Sequence, residues 1–122
     1  MAIATVGATP VFSVKAGELV QLFEKKFELA ELLEIASFAA NHCPGIRVSD
    51  DAVTAVIEEE GITDDDIKTS VWRFSKSRGQ MKAKNGYSKD SRGWCDRTFR
   101  RLGPYHLPDV KRALLLGTYK PE

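Results

Sequence analysis

A chain of 122 residues with 43% hydrophobic and 29% charged side chains has the make-up of one globular domain, long enough to bury a core without covalent staples. No apolar run reaches membrane-spanning length, and no basic region precedes the apolar N-terminus as it would in a signal peptide, so neither a spanning helix nor a secreted product is expected. The net charge of +1 hides an uneven distribution: residues 1–66 hold four basic against thirteen acidic side chains, and residues 67–122 hold fourteen basic against four acidic. Such a split suggests a basic binding face with an acidic back, or copies pairing head to tail through opposite halves as a homo-oligomer.

Cys43 and Cys95 form no CxxC pair and imply no disulfide framework, which makes a cytoplasmic, reducing setting the expectation. With His42 and His106 they are four residues of zinc-binding type, but the close-pair spacing of zinc sites is missing and no metal is expected. Catalytic signatures are absent: there is no GxSxG elbow, no phosphate-cradling GxxxxGK[ST] and no HExxH. The expectation is a non-enzymatic protein without a cofactor.

In chain order, residues 1–15 are small and apolar, with Gly7 and Pro10 as breakers, and form an N-terminal arm in which Val11, Phe12 and Val14 suit a short strand or packing across the core. Residues 16–66 make up an acidic helical half. From Ala16 to Asn41, Leu19, Phe23, Phe27, Ala30 and Leu33 recur at helical spacing while Glu24, Glu28 and Glu31 share another face; this is one long helix or two broken near Lys26. Cys43-Pro44-Gly45 is a helix stop and turn. Ser49 then caps a helix from Asp50 to Glu60 with Val53, Val56 and Ile57 inward, and Gly61-Ile62 ends it.

The basic half, residues 67–122, carries the functional signals. Thr63 is an N-cap and Asp66 completes a capping box, with Asp64 and Asp65 in the first turn. On a helical wheel Ile67, Val71 and Phe74 share an inward face, which puts Lys68, Trp72 and Lys76 outward with Arg73 beside them. Trp72 between two lysines suits stacking on a base, or is covered by another element. Asn85-Gly86 is the strongest local hairpin signal, flanked by Lys82, Lys84, Lys89 and Arg92. The competing reading of that stretch is a solvated lysine-rich loop.

Helix, glycine turn, helix and basic hairpin is the order of a winged helix-turn-helix. The expected fold class is therefore mainly α, a single domain with a helix-turn-helix-like centre and one small basic β-hairpin. Pro44-Gly45-Ile46, Val56-Ile57-Glu58-Glu59, Ile67-Lys68-Thr69-Ser70-Val71 and Phe74-Ser75-Lys76-Ser77 resemble the FinO/ProQ family of RNA-binding proteins over residues 44–81, under a third of the chain. The aspartate-leucine-glycine turn after that family's hairpin has no counterpart in residues 82–93. The resemblance implies structured RNA as the ligand, whereas helix-turn-helix geometry implies duplex DNA.

Trp94 to Leu102 reads as an amphipathic helix with Cys95, Thr98, Phe99 and Leu102 on one face and Arg97, Arg100 and Arg101 opposite, suited to phosphate contacts or to ion pairs with the acidic half. Gly103-Pro104 stops it, and a last helix is expected from Asp109 to Leu116, with Pro108 leading in and Val110, Ala113 and Leu114 inward. The function expected from this pattern is a small nucleic-acid-binding regulator. It would use Lys68, Trp72, Arg73, Lys76, Lys82, Lys84, Lys89, Arg92, Arg97, Arg100 and Arg101. The competing function is a protein–protein inhibitor or adaptor that engages a charged partner.

Overall fold

The computed structural model describes residues 8–105 and 112–122, with side chains from residue 25 onward. It is mainly helical. Helix α1 (Ala8–His42) is followed by strand β1 (Ile46–Val48), helix α2 (Asp50–Glu59), the single turn α3 (Asp64–Ile67), helix α4 (Ser70–Lys89), helix α5 (Ser91–Leu102) and strand β2 (Leu115–Gly117). Residues 16–41 therefore lie in one unbroken helix, and Val11, Phe12 and Val14 belong to that helix rather than to a strand.

Local signals set the boundaries. After α1, Gly45 takes φ +80°, and its carbonyl accepts from the amides of Thr118 and Tyr119 at 2.9 and 3.2 Å. The Ser49 hydroxyl accepts from the Ala52 amide at 3.2 Å to start α2. Thr63 and Asp66 form the expected reciprocal box, at 3.1 and 2.9 Å. The Thr63 amide and the Lys26 ammonium hold the Asp66 carboxyl below its ordinary range.

The helix that this box starts ends after one turn. Lys68 closes α3, and Thr69 begins α4 afresh by accepting from the Trp72 amide at 3.1 Å. This break rotates the face that Ile67 and Val71 were expected to share. Ile67 is exposed, Phe74 is 63% exposed, and Trp72 is 6% exposed in the core. The outward assignment of Trp72 and the inward assignments of Ile67 and Phe74 are thus corrected. The buried row of α4 is Trp72, Ser75, Gly79 and Ala83, whose small members let α1 approach closely; α1 on α4 is the main packing of the molecule.

The expected hairpin is also corrected. Residues 82–89, Asn85-Gly86 included, continue α4. The run from Ser75 to Lys89 contains no β-branched residue and no proline, while lysine, glutamine, methionine and alanine favour helix. Gly86 is required by packing rather than by a turn: a Cβ there would lie 2.4 Å from the Trp94 ring. The wing expected at residues 82–92 is therefore not formed by a hairpin there, and α3, expected to begin the second helix of a helix-turn-helix, is a single turn.

The described strands lie elsewhere. β1 and β2 pair antiparallel, with Ile46 opposite Gly117, Arg47 opposite Leu116 and Val48 opposite Leu115. Leu115 and Leu116 are thus strand, and Arg112 to Leu114 are non-helical, where the last helix was expected; residues 106–111, with His106 and Val110, lie outside the described residues. The core joins Leu29, Ala36 and Ala39 of α1 to Val56, Trp94, Phe99, Leu102, Leu114 and Leu115. Cys95, Thr98, Phe99 and Leu102 are buried together, as the α5 periodicity requires.

Cys43 and Cys95 are joined as a disulfide that ties the end of α1 to α5, correcting the expectation of two unrelated thiols. Both sulfurs are thereby removed from any zinc site, and among the described residues no group of three or more metal-ligating side chains occurs. No described helix is long and apolar enough to cross a membrane.

Candidate nucleic-acid interface

The charge asymmetry of the chain is partly consumed inside the fold. Glu31 of α1 receives Lys82 at 2.6 Å and Arg78 at 3.8 Å, and Glu59 receives Arg112 at 3.5 Å; Asp66 receives Lys26 at 2.9 Å within the acidic half itself. Through Glu31 and Glu59 the acidic half meets the basic half within one chain. Each such pair is exposed enough that its contribution to stability is small. Its larger effect is to decide which cations are left for a ligand.

The expected site residues separate on that basis. Arg92 reaches Asp96 at 3.3 Å, Glu122 at 3.8 Å and the Lys120 carbonyl at 3.0 Å, and lies 5.1 Å from the centre of the Tyr119 ring. Arg97 lies 3.8 Å from Asp90, and Arg100 donates to the Glu122 carbonyl. Lys82 is held by Glu31, and Arg101 lines a 550 Å³ cleft with Arg78, Lys82, Glu28 and Glu31, where acid and base alternate. Asp96 also accepts from the Tyr119 hydroxyl, and this bond lowers its carboxyl below the ordinary range. Burial and the same bond push Tyr119 up to about 12. These groups close the C-terminal tail onto α5.

Lys68, Arg73, Lys76, Lys84 and Lys89 are exposed, and none of the five is in an ion pair among the described residues. Arg73 leans back to the Lys68 carbonyl at 3.2 Å, which holds these two residues together. At about 100° per residue, Arg73, Lys76, Gln80 and Lys84 fall within an arc of roughly 80° on one flank of α4, spread over about 17 Å of helix. Lys89 lies on the opposite flank. Trp72, beneath the helix, is not part of this surface.

The flank leads to aromatic rings that periodicity alone did not single out. Phe38 and His42 stack one turn apart at 3.9 Å, and Tyr87 stands edge-on to Phe38 at 5.7 Å and to His42 at 5.4 Å. The Tyr87 hydroxyl donates to the His42 carbonyl at 3.3 Å. The i, i+4 spacing of Phe38 and His42 was a readable signal, but their meeting with Tyr87 depends on how α1 packs on α4. A cationic strip beside aromatic rings can hold phosphates and stack bases.

No protein-family model matches the chain, and neither a curated protein nor a solved structure matches it significantly, so the likeness of residues 44–81 to FinO/ProQ proteins rests on the short stretches named above.

Proposed function

We propose that this protein is a small nucleic-acid-binding regulator whose contact surface is the flank of α4 bearing Arg73, Lys76 and Lys84, with Lys68 at its head. The observation that carries this reading is that, among the described residues, these cations have no carboxylate partner, Arg73 bonding only the neighbouring Lys68 carbonyl, while Lys82, Arg92 and Arg97 are held by carboxylates. Cations without a carboxylate partner can displace condensed counterions from a phosphate chain without first breaking an internal ion pair. This reading takes one edge of the basic half as the site, rather than the whole of it. Either DNA or RNA offers the phosphates.

Gel-shift titration at low salt with a single strand and a duplex tests the reading. The triple variant Arg73→Ala, Lys76→Ala, Lys84→Ala should weaken binding by tenfold or more, since each charge-assisted hydrogen bond to phosphate that is removed costs on the order of 1 kcal/mol. Failure of the unmodified protein to bind either probe would overturn it.

A second reading, a non-enzymatic inhibitor or adaptor for a charged protein partner, is favoured by one observation. Phe74 and Met81, seven residues apart on the outward side of α4, are 63% and 62% exposed and have cations on both sides. Exposed apolar side chains in such a row are the usual anchors of a protein interface. As to compartment, the disulfide favours an oxidising setting over the cytoplasm expected from sequence.

A further inference from the structure

A cleft of about 420 Å³ opens between α1 and α4 at the end of the cationic flank, within the size range of ligand pockets. One wall is aromatic: Phe38 stacks on the exposed His42 ring, Tyr87 stands edge-on to it, and buried Trp94 backs Phe38 at 5.5 Å. The rest of the lining is polar. Asn41 and Gln80 supply amide donors and acceptors, and the charges of Glu34 and Lys84 offset each other.

An aromatic cleft with amides on its wall and no net side-chain charge between its acid and its lysine, opening beside lysines that have no ion-pair partner among the described residues, suits an uncharged planar heterocycle attached to an anionic backbone. Resting on the nucleic-acid reading above, we infer that this cleft receives an unpaired nucleobase of a single strand, stacked on His42, while the adjoining phosphates lie along Lys76 and Lys84. A duplex keeps its bases stacked on one another and presents none to such a cleft.

The test compares a fluorescein-labelled single strand with an abasic deoxyribose-phosphate strand of equal length, by anisotropy at low salt. The base-bearing strand should bind about tenfold tighter or more, and His42→Ala should bring that ratio to within about threefold. Gln80→Ala, on the exposed wall of α4, repeats the comparison if His42→Ala melts early, and should also shrink the ratio. Equal, salt-sensitive binding of the two strands would overturn the cleft and leave the α4 flank standing. A preference for bases that both variants retain would overturn it too, by placing base contacts elsewhere. Binding of neither strand would overturn the cleft and the nucleic-acid reading together.

Discussion

The backbone of α4 meets the backbone of α1 at Gly79 and Glu31, where a Cβ built on Gly79 would lie 2.6 Å from the Glu31 carbonyl oxygen and 2.9 Å from its Cα. The Glu31 carboxylate then takes Arg78 and Lys82, which flank Gly79. Alanine in place of glycine normally stabilises a helix interior by roughly 0.5–1 kcal/mol. Here the added methyl has no space and its neighbour is backbone, so Gly79→Ala should lower stability by about 1–3 kcal/mol in urea unfolding. A stabilised variant would show that α1 and α4 are further apart.

Trp72 gives a second measure of that packing. It is 6% exposed and heads the row that faces α1. Trp72→Ala should therefore cost roughly 3–5 kcal/mol of stability. A variant that melts like the parent would place Trp72 on the surface.

The two residues show why some of the structure was readable in advance and some was not. Ser49, the Thr63–Asp66 box, the Gly45 turn and the buried face of α5 are local devices, complete within a few residues, and each forms as its composition dictates. The face of α4 depends instead on Thr69 restarting the helix, and on a row of small residues, Ser75, Gly79 and Ala83, whose meaning appears only against α1. Asn85-Gly86 is a turn signal in isolation, overridden because Gly86 lies under Trp94. The pairing of Ile46 with Gly117 and of Cys43 with Cys95 joins distant segments and left no mark in periodicity. For the interface, the cations were visible in the sequence, but which of them are already paired is a property of the packed helices.

The disulfide predicts a large response to reduction. It closes a loop of 52 residues, for which chain-entropy arguments give about 4 kcal/mol of stabilisation. Paired Cys43→Ala and Cys95→Ala substitution, or a reductant, should lower the melting temperature by roughly 15 °C. Thiol titration of the unfolded protein should find no free cysteine without reductant. Two titratable thiols would contradict the bond.

Tyr119 predicts the alkaline limit. Its folded pKa is raised from 10.0 to about 12, so the stability it contributes is fully present below pH 10 and is lost as pH rises from there toward 12. The unfolded chain releases this proton first, and unfolding is thereby favoured at high pH. Tyr119→Phe should flatten the loss of stability across that window, as followed by circular dichroism. An unchanged alkaline transition would place the Tyr119 hydroxyl outside the bond to Asp96.

The central claim, that the cations on one flank of α4 with no ion-pair partner among the described residues hold phosphates, is tested most directly by the slope of log affinity against log salt for a single strand. Lys76→Ala with Lys84→Ala should flatten that slope by roughly 1.4, about 0.7 for each phosphate contact removed. Arg92→Ala with Arg97→Ala, which removes cations held by Asp96 and Asp90, should leave it nearly unchanged. An unaltered slope in the lysine pair, with a flattened one in the arginine pair, would contradict the account and move the interface to α5.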